Sequence, residues 1–227
     1  MSITVTKPSL PPLAELIQYL EDIWERKILT NNGFYHRMFE KELCRYLKIL
    51  HLSVFTNGTF SLTLALQSLR VTGEVITTPY SFAATTHAIQ WNGLTPVFVD
   101  VDECGNISPE KIEHAIGPQT TAIMAVHYFN DIENVRHNYI YFPIFVRENE
   151  YGKTRDELCE NLKENGIFVR RYFYPLISEF LPYKHLPSSS RKNLPNAATL
   201  SKEVICLPMY ADLSEDDVKK VVNIVQN

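Results

Sequence analysis

The 227-residue sequence predicts an α/β chain: a helix-flanked parallel sheet in the first half and a small α+β unit in the second. Three observations carry this. Up to about residue 126, short β-branched runs alternate with segments of helical period, the signature of successive βαβ units. Gly, Pro and Asn clusters punctuate the alternation. Near Asn130 the pattern changes to an aromatic strand followed by capped helices, so the chain divides into residues 1–130 and 131–227.

Residues 10–29 predict a helix, because Leu13, Leu16, Ile17, Leu20, Ile23 and Trp24 recur at helical spacing. Thr30-Asn31-Asn32-Gly33 is a turn, and Phe39, Leu43, Tyr46 and Leu47 mark a second amphipathic helix. Residues 51–55 read as a short strand leading into Thr56-Asn57-Gly58-Thr59 and a third helix with Leu62, Leu66 and Leu69 on one side. Strands follow at 74–78, 96–100 and 122–126. Between them lie a helix over 81–91, stopped at Asn92-Gly93, and one started by the cap-and-proline pair Ser108-Pro109.

In the second half, residues 139–146 predict a long strand. Thr154-Arg155-Asp156-Glu157 is a capping box opening a helix that ends at Gly166, with Leu158 and Leu162 on its buried face. A strand is expected from Ile167 to Val169, a short helix over 200–205, and a final helix capped by Ser214.

Composition narrows the function. Lys and Arg total 22 against 26 Asp and Glu, a net charge of -4, which gives no basic footprint for nucleic acid and no polybasic membrane patch. No run of about 18 apolar residues is present to span a bilayer, and the opening residues lack the pattern of a signal peptide. Cys44, Cys104, Cys159 and Cys206 are scattered without a CxxC pair, so buried reduced thiols in a cytoplasmic protein are expected. The absence of GxSxG, HExxH and clustered His, Asp and Cys leaves hydrolase and metal readings without support.

Four places carry candidate chemistry. Gly58 and Thr59 stand between a strand and a helix, where unpaired N–H groups and the helix dipole favour phosphate; on spacing alone a plain capped turn is the favoured reading. Phe82 falls at the carboxyl edge of the sheet, the ligand-binding edge of open α/β folds, and either stacks on a flat ring or fills the core. Arg170-Arg171-Tyr172-Phe173-Tyr174-Pro175 offers guanidinium forks and rings for phosphates or sugar hydroxyls, or solvated arginines at a strand end. His127 follows a strand and either faces a cleft or holds structure.

Taken in order, several stretches resemble the DegT/DnrJ/EryC1/StrS family of sugar aminotransferases: Leu29-Thr30-Asn31-Asn32-Gly33, Thr56-Asn57-Gly58-Thr59, residues 74–82, residues 96–101, residues 121–127, residues 171–176 and Cys206-Leu207-Pro208-Met209-Tyr210. The resemblance implies the type I fold of transferases dependent on pyridoxal phosphate (PLP). Here that fold has a truncated large domain and a small C-terminal α+β domain. It implies PLP as cofactor, with Gly58 and Thr59 on its phosphate, Phe82 against its ring and His127 nearby. It implies a nucleotide sugar, a dTDP-keto-6-deoxy sugar aminated from glutamate, faced by Asn31, Asn32, Arg171 and Tyr174. It also implies a homodimer with shared sites.

The departure from the family is a central block expected after Asn130. In the family that block carries the lysine that binds PLP covalently and the aspartate that pairs with the ring nitrogen. Lys111, Lys153 and Lys163 do not stand in that context, so no catalytic residue is assigned. Without such a lysine and acid, PLP chemistry lacks its proton carrier and its electron sink. Two functions are therefore expected in competition: an aminotransferase with little or no activity, or a non-catalytic binder of nucleotide sugar or a partner subunit.

Overall fold

The structure, a computed structural model, describes residues 2–128 and 140–226. The expected junction near Asn130 lies outside the described residues.

The chain opens with a helical hairpin. α1 (Leu13–Arg26) begins after Pro11-Pro12 and ends at Lys27 in the left-handed region. α2 (Phe34–Leu47) starts from Gly33. Asp22 ties the two together, accepting from Tyr35 Oη at 2.8 Å. Neither helix buries a single residue, although both carry strong apolar stripes.

The strand expected at residues 51–55 does not form. The segment has no ladder partner among the described residues, and its tie to the fold runs from Val54 N to the Glu40 carboxylate at 3.0 Å. A strand is a cooperative property of paired chains, so β propensity alone leaves this segment irregular. α3 (Gly58–Ser68) follows, capped by the Asn57 side chain accepting from Phe60 N at 3.0 Å.

A parallel three-stranded sheet comes next: β1 (Glu74–Thr77), β2 (Thr95–Phe98) and β3 (Thr120–Ile123), in the order β2-β1-β3. β1 is central, pairing Thr77 with Phe98 on one side and Ile76 with Ile123 on the other. α4 (Ala83–Trp91) and α5 (Pro109–Ala115) form the crossovers. Val75 packs with Leu66, Ala88, Ile89 and Leu94 on one face, and Ile76 packs with Val99 and Ile107 on the other. Helices on both faces explain why Val75, Ile76 and Thr77 of β1 are all buried. β3 begins two residues earlier than expected, because Thr120 and Thr121 extend it; beyond its end Met124 N still donates to Ile76 O at 2.8 Å.

In the second half, β4 (Phe142–Phe145) pairs antiparallel with β5 (Val204–Leu207). α6 (Glu148–Tyr151) is one turn, and α7 (Arg155–Glu164) carries the expected capping box, with Glu157 N on Thr154 Oγ1 at 3.2 Å and Thr154 N on Glu157 Oε2 at 2.6 Å. Leu158 and Leu162 are buried as the spacing required, in a cluster with Val146, Ile167, Ile205 and Val221. α8 (Pro195–Glu203) and α9 (Glu215–Val225, capped by Ser214) complete the chain.

Three further expectations are corrected. Residues 200–205 are not one helix: α8 ends at Glu203 and the β-branched Val204-Ile205 turn into β5, which finds its partner in β4. Residues 167–169 form no extended ladder; Ile167 bridges Ile3, and Arg170 exchanges two hydrogen bonds with Cys206. The N-terminal strand residue Ile3 is thus buried in the C-terminal core. Cys159 and Cys206 are buried free thiols, whereas Cys44 and Cys104 are half-buried.

A shared cluster joins the two halves. Tyr80, Phe98 and Val101 pack with Leu176, Ile177, Tyr183, Leu194, Ala197 and Leu200. Each buried large side chain of this kind contributes about 1.5–3 kcal/mol, so the sheet edge and the C-terminal loops are held in a fixed relation.

Candidate active site

The carboxyl end of β1 runs through Thr78-Pro79-Tyr80-Ser81 to Phe82, the residue that caps α4. Tyr80 is fully buried, and its ring meets Tyr128 edge-on at 5.1 Å and Phe173 at 5.8 Å. Both hydroxyls donate to one acceptor, the Tyr172 carbonyl, at 3.2 Å from Tyr80 and 2.7 Å from Tyr128. Burial raises the pKa of both phenols above the ordinary tyrosine value, so they stay protonated donors. This cluster fixes the segment 170–175 against the sheet edge. Gly105 makes room for it, since a Cβ there would meet Tyr128 at 3.0 Å and Tyr80 at 3.1 Å.

Between that segment and the start of α4 lies a cavity of about 500 Å³. Phe82, Arg171 and Tyr174 line it together, so the structure brings the expected ring-stacking residue and two of the expected sugar-nucleotide residues to one cavity. Ser81, Arg170, Tyr172, Phe173 and Phe180 complete its polar and aromatic lining. Phe82 is 62% exposed, an aromatic presented outward rather than spent in the core. No lysine, aspartate or glutamate lines the cavity among the described residues.

Gly58 and Thr59 lie outside that lining. They form the first turn of α3, whose C-terminus feeds β1 through the short turn 69–73, so its N-terminus points toward the same carboxyl edge. A Cβ built on Gly58 would meet nothing within 4 Å, so the turn is open to an incoming group. His127, past the end of β3, is exposed and also outside the lining. Asn31 and Asn32 sit at the exposed α1–α2 turn, Asn32 in the left-handed region, and line none of this cavity.

Behind the cavity wall stand residues whose only legible role in the sequence is at a capping box. Arg155, only 4% exposed, donates to the carbonyl oxygens of Ser201 at 3.0 Å and Val204 at 3.3 Å. Its guanidinium also lies 4.7 Å from the Tyr174 ring centroid, a cation–π contact. Asp156 Oδ1 binds Arg155 Nε at 2.6 Å and Arg171 Nη1 at 3.1 Å. The only signal for this pair in sequence was adjacency to Thr154.

The profile of the DegT/DnrJ/EryC1/StrS aminotransferase family matches residues 13–136 and again 129–226. The chain belongs to this family. A dTDP-4-amino-4,6-dideoxy-D-glucose transaminase of Escherichia coli is 32% identical in an alignment covering 99% of this chain and 98% of the relative. That alignment runs over 364 positions against 227 residues here, so more than a hundred positions of the family member face a gap. The two profile matches meet at 129–136, the same stretch where the central block was missed.

The solved structure of DesI, determined in the presence of its TDP-sugar product, superposes with a TM-score of 0.90 at 20% identity, covering 99% of this chain and 92% of that one. NtdA from Bacillus subtilis, solved with bound cofactor PMP, superposes at 0.77 with 16% identity, covering 98% and 86%. The fold is therefore that of PLP-dependent aminotransferases. No helix among the described residues is long and apolar enough to cross a membrane.

Proposed function

We propose that this chain holds a nucleotide sugar of the dTDP-keto-6-deoxy class and, as it stands, does not carry out the amino transfer from glutamate that the family performs on such sugars. The observation that carries the reading is the cavity between Phe82 and residues 170–175: its wall offers two guanidiniums and aromatic faces and, among the described residues, neither lysine nor carboxylate. Arginine forks suit a diphosphate, and ring faces suit a base or a sugar.

PLP fits only in part. The open first turn at Gly58 and Thr59 suits its phosphate, Phe82 suits its ring, and His127 stands beyond the neighbouring strand. When bound in an aminotransferase, PLP supplies an electron sink that requires a lysine amine and an acid on the ring nitrogen. The cavity wall supplies neither, so no catalytic step is assigned to this chain. The proposed partner is a second copy of the chain, with Asn31 and Asn32 at the α1–α2 turn offered to a shared site, and the cytoplasm is the expected compartment.

The alternative of a binding protein with no inherited substrate is weaker, because Arg171 and Tyr174 line the same cavity as Phe82. Calorimetric titration with dTDP tests the reading. Saturable binding with one site per chain is expected, and its absence in an intact, folded chain contradicts the proposal.

A further inference from the structure

Arg171 is one of the two guanidiniums at the cavity wall, and among the described residues no carboxylate in the cavity lining sets its direction. What sets it lies behind. α7, locked at its first turn by the capping box, presents Arg155, Asp156 and Cys159 toward the back of the wall. One carboxylate oxygen, Asp156 Oδ1, takes Arg171 Nη1 at 3.1 Å and Arg155 Nε at 2.6 Å. Tyr174 stands between the two guanidiniums, 4.7 Å from Arg155 and 5.9 Å from Arg171. Arg155 is itself immobile, because it is buried and bonded to two backbone carbonyls.

We infer that Asp156 is a positioning residue for diphosphate recognition: it fastens one corner of the Arg171 fork to the rigid Arg155, leaving the other donors of that fork to the nucleoside diphosphate. This rests on the nucleotide-sugar reading of the cavity. An arginine recognises phosphate by a planar fork, so its orientation matters as much as its charge. A free side chain of this length loses rotamer entropy on engaging a ligand; one already held loses less.

The sign of the effect separates positioning from charge. Removing a carboxylate near an anion site favours the anion by Coulomb's law, though weakly here, because Asp156 is 58% exposed and its field is screened. Positioning predicts the opposite, weaker binding. The test is titration of the full chain with dTDP and with uncharged thymidine. Asp156→Asn is expected to weaken dTDP roughly five- to tenfold and to leave thymidine unchanged. Asp156→Glu, which keeps the charge but shifts it by one methylene, is expected to fall between the two and carries the test alone if the Asn variant does not fold. Unchanged or tighter dTDP binding in these variants overturns the inference, as does equal loss of dTDP and thymidine. Failure of the wild-type chain to bind dTDP overturns this inference together with the nucleotide-sugar reading, whereas binding that the substitutions leave intact overturns this inference alone.

Discussion

The Asp100 carboxylate accepts a hydrogen bond from the backbone N–H of Ala197 at 2.8 Å, across 97 residues of sequence. Its second oxygen takes Asn196 N at 3.0 Å and Lys111 Nζ at 2.7 Å. Asp100 is fully buried. It caps α8 from the end of β2 and so welds the parallel sheet to the C-terminal half.

Asp100→Asn keeps the shape but removes the charge from the helix cap and leaves Lys111 unpaired. A loss of about 3 kcal/mol is expected, the cost of breaking a buried, hydrogen-bonded charge. Lys111→Met should cost less, about 1 kcal/mol, because the lysine side chain is 41% exposed and two backbone donors still hold the carboxylate. Urea unfolding of both variants measures this; a neutral Asp100→Asn would show that the two halves are held by apolar packing alone.

The buried tyrosines set an alkaline limit. Tyr80 and Tyr128 have their pKa raised above 10.0, and Cys206 above 9.0, in each case chiefly by burial. A raised folded pKa means that the unfolded chain releases protons first, so the stability these groups add is intact below the unfolded values and declines as pH climbs past them. The urea midpoint should therefore be flat from pH 7 to 8 and fall steadily above about pH 10, with no phenolate absorbance from the cluster before unfolding. Tyr128→Phe should flatten the fall. A midpoint that holds to pH 11 would contradict the assigned burial.

Much of this organisation was legible beforehand, for a local reason. The capping box at Thr154, the Ser108 and Ser214 caps and the apolar spacing of Leu158 and Leu162 are set by residues a few positions apart, so short-range pattern reports them. What escaped depends on distant partners. Residues 51–55 have strand composition but no paired neighbour, and Val204-Ile205 became a strand because β4 lies beside it. Ile3 joined a core about 160 residues away. At the site, Phe82, Arg171 and Tyr174 line one cavity. Asp156 and Arg155 did not announce themselves, because their meaning arises only when α7 is placed against residues 170–174.

The α1–α2 hairpin predicts association. The chain exposes 15470 Å², whereas a compact monomer of 26.2 kDa exposes roughly 10,600 Å² by the usual mass scaling. Exposed apolar side chains concentrate between Leu10 and Leu69, among them Leu13, Trp24, Phe39 and Leu50. We propose that a second copy of the chain covers this surface. Sedimentation velocity should give a dimer or larger species at micromolar concentration, and Leu20→Asp combined with Trp24→Asp should shift it toward monomer. A well-folded wild-type monomer at high concentration would refute this.

Lysine chemistry decides the central claim. The measurement is incubation of the folded protein with PLP, borohydride reduction and mapping of modified peptides, beside an assay of glutamate turnover with a dTDP-keto sugar. Our account predicts scattered, substoichiometric modification and turnover at background, because no lysine reaches the Phe82 cavity among the described residues. A stoichiometric adduct at one defined lysine, accompanied by glutamate turnover, would contradict it and show that another lysine of this chain performs the transfer.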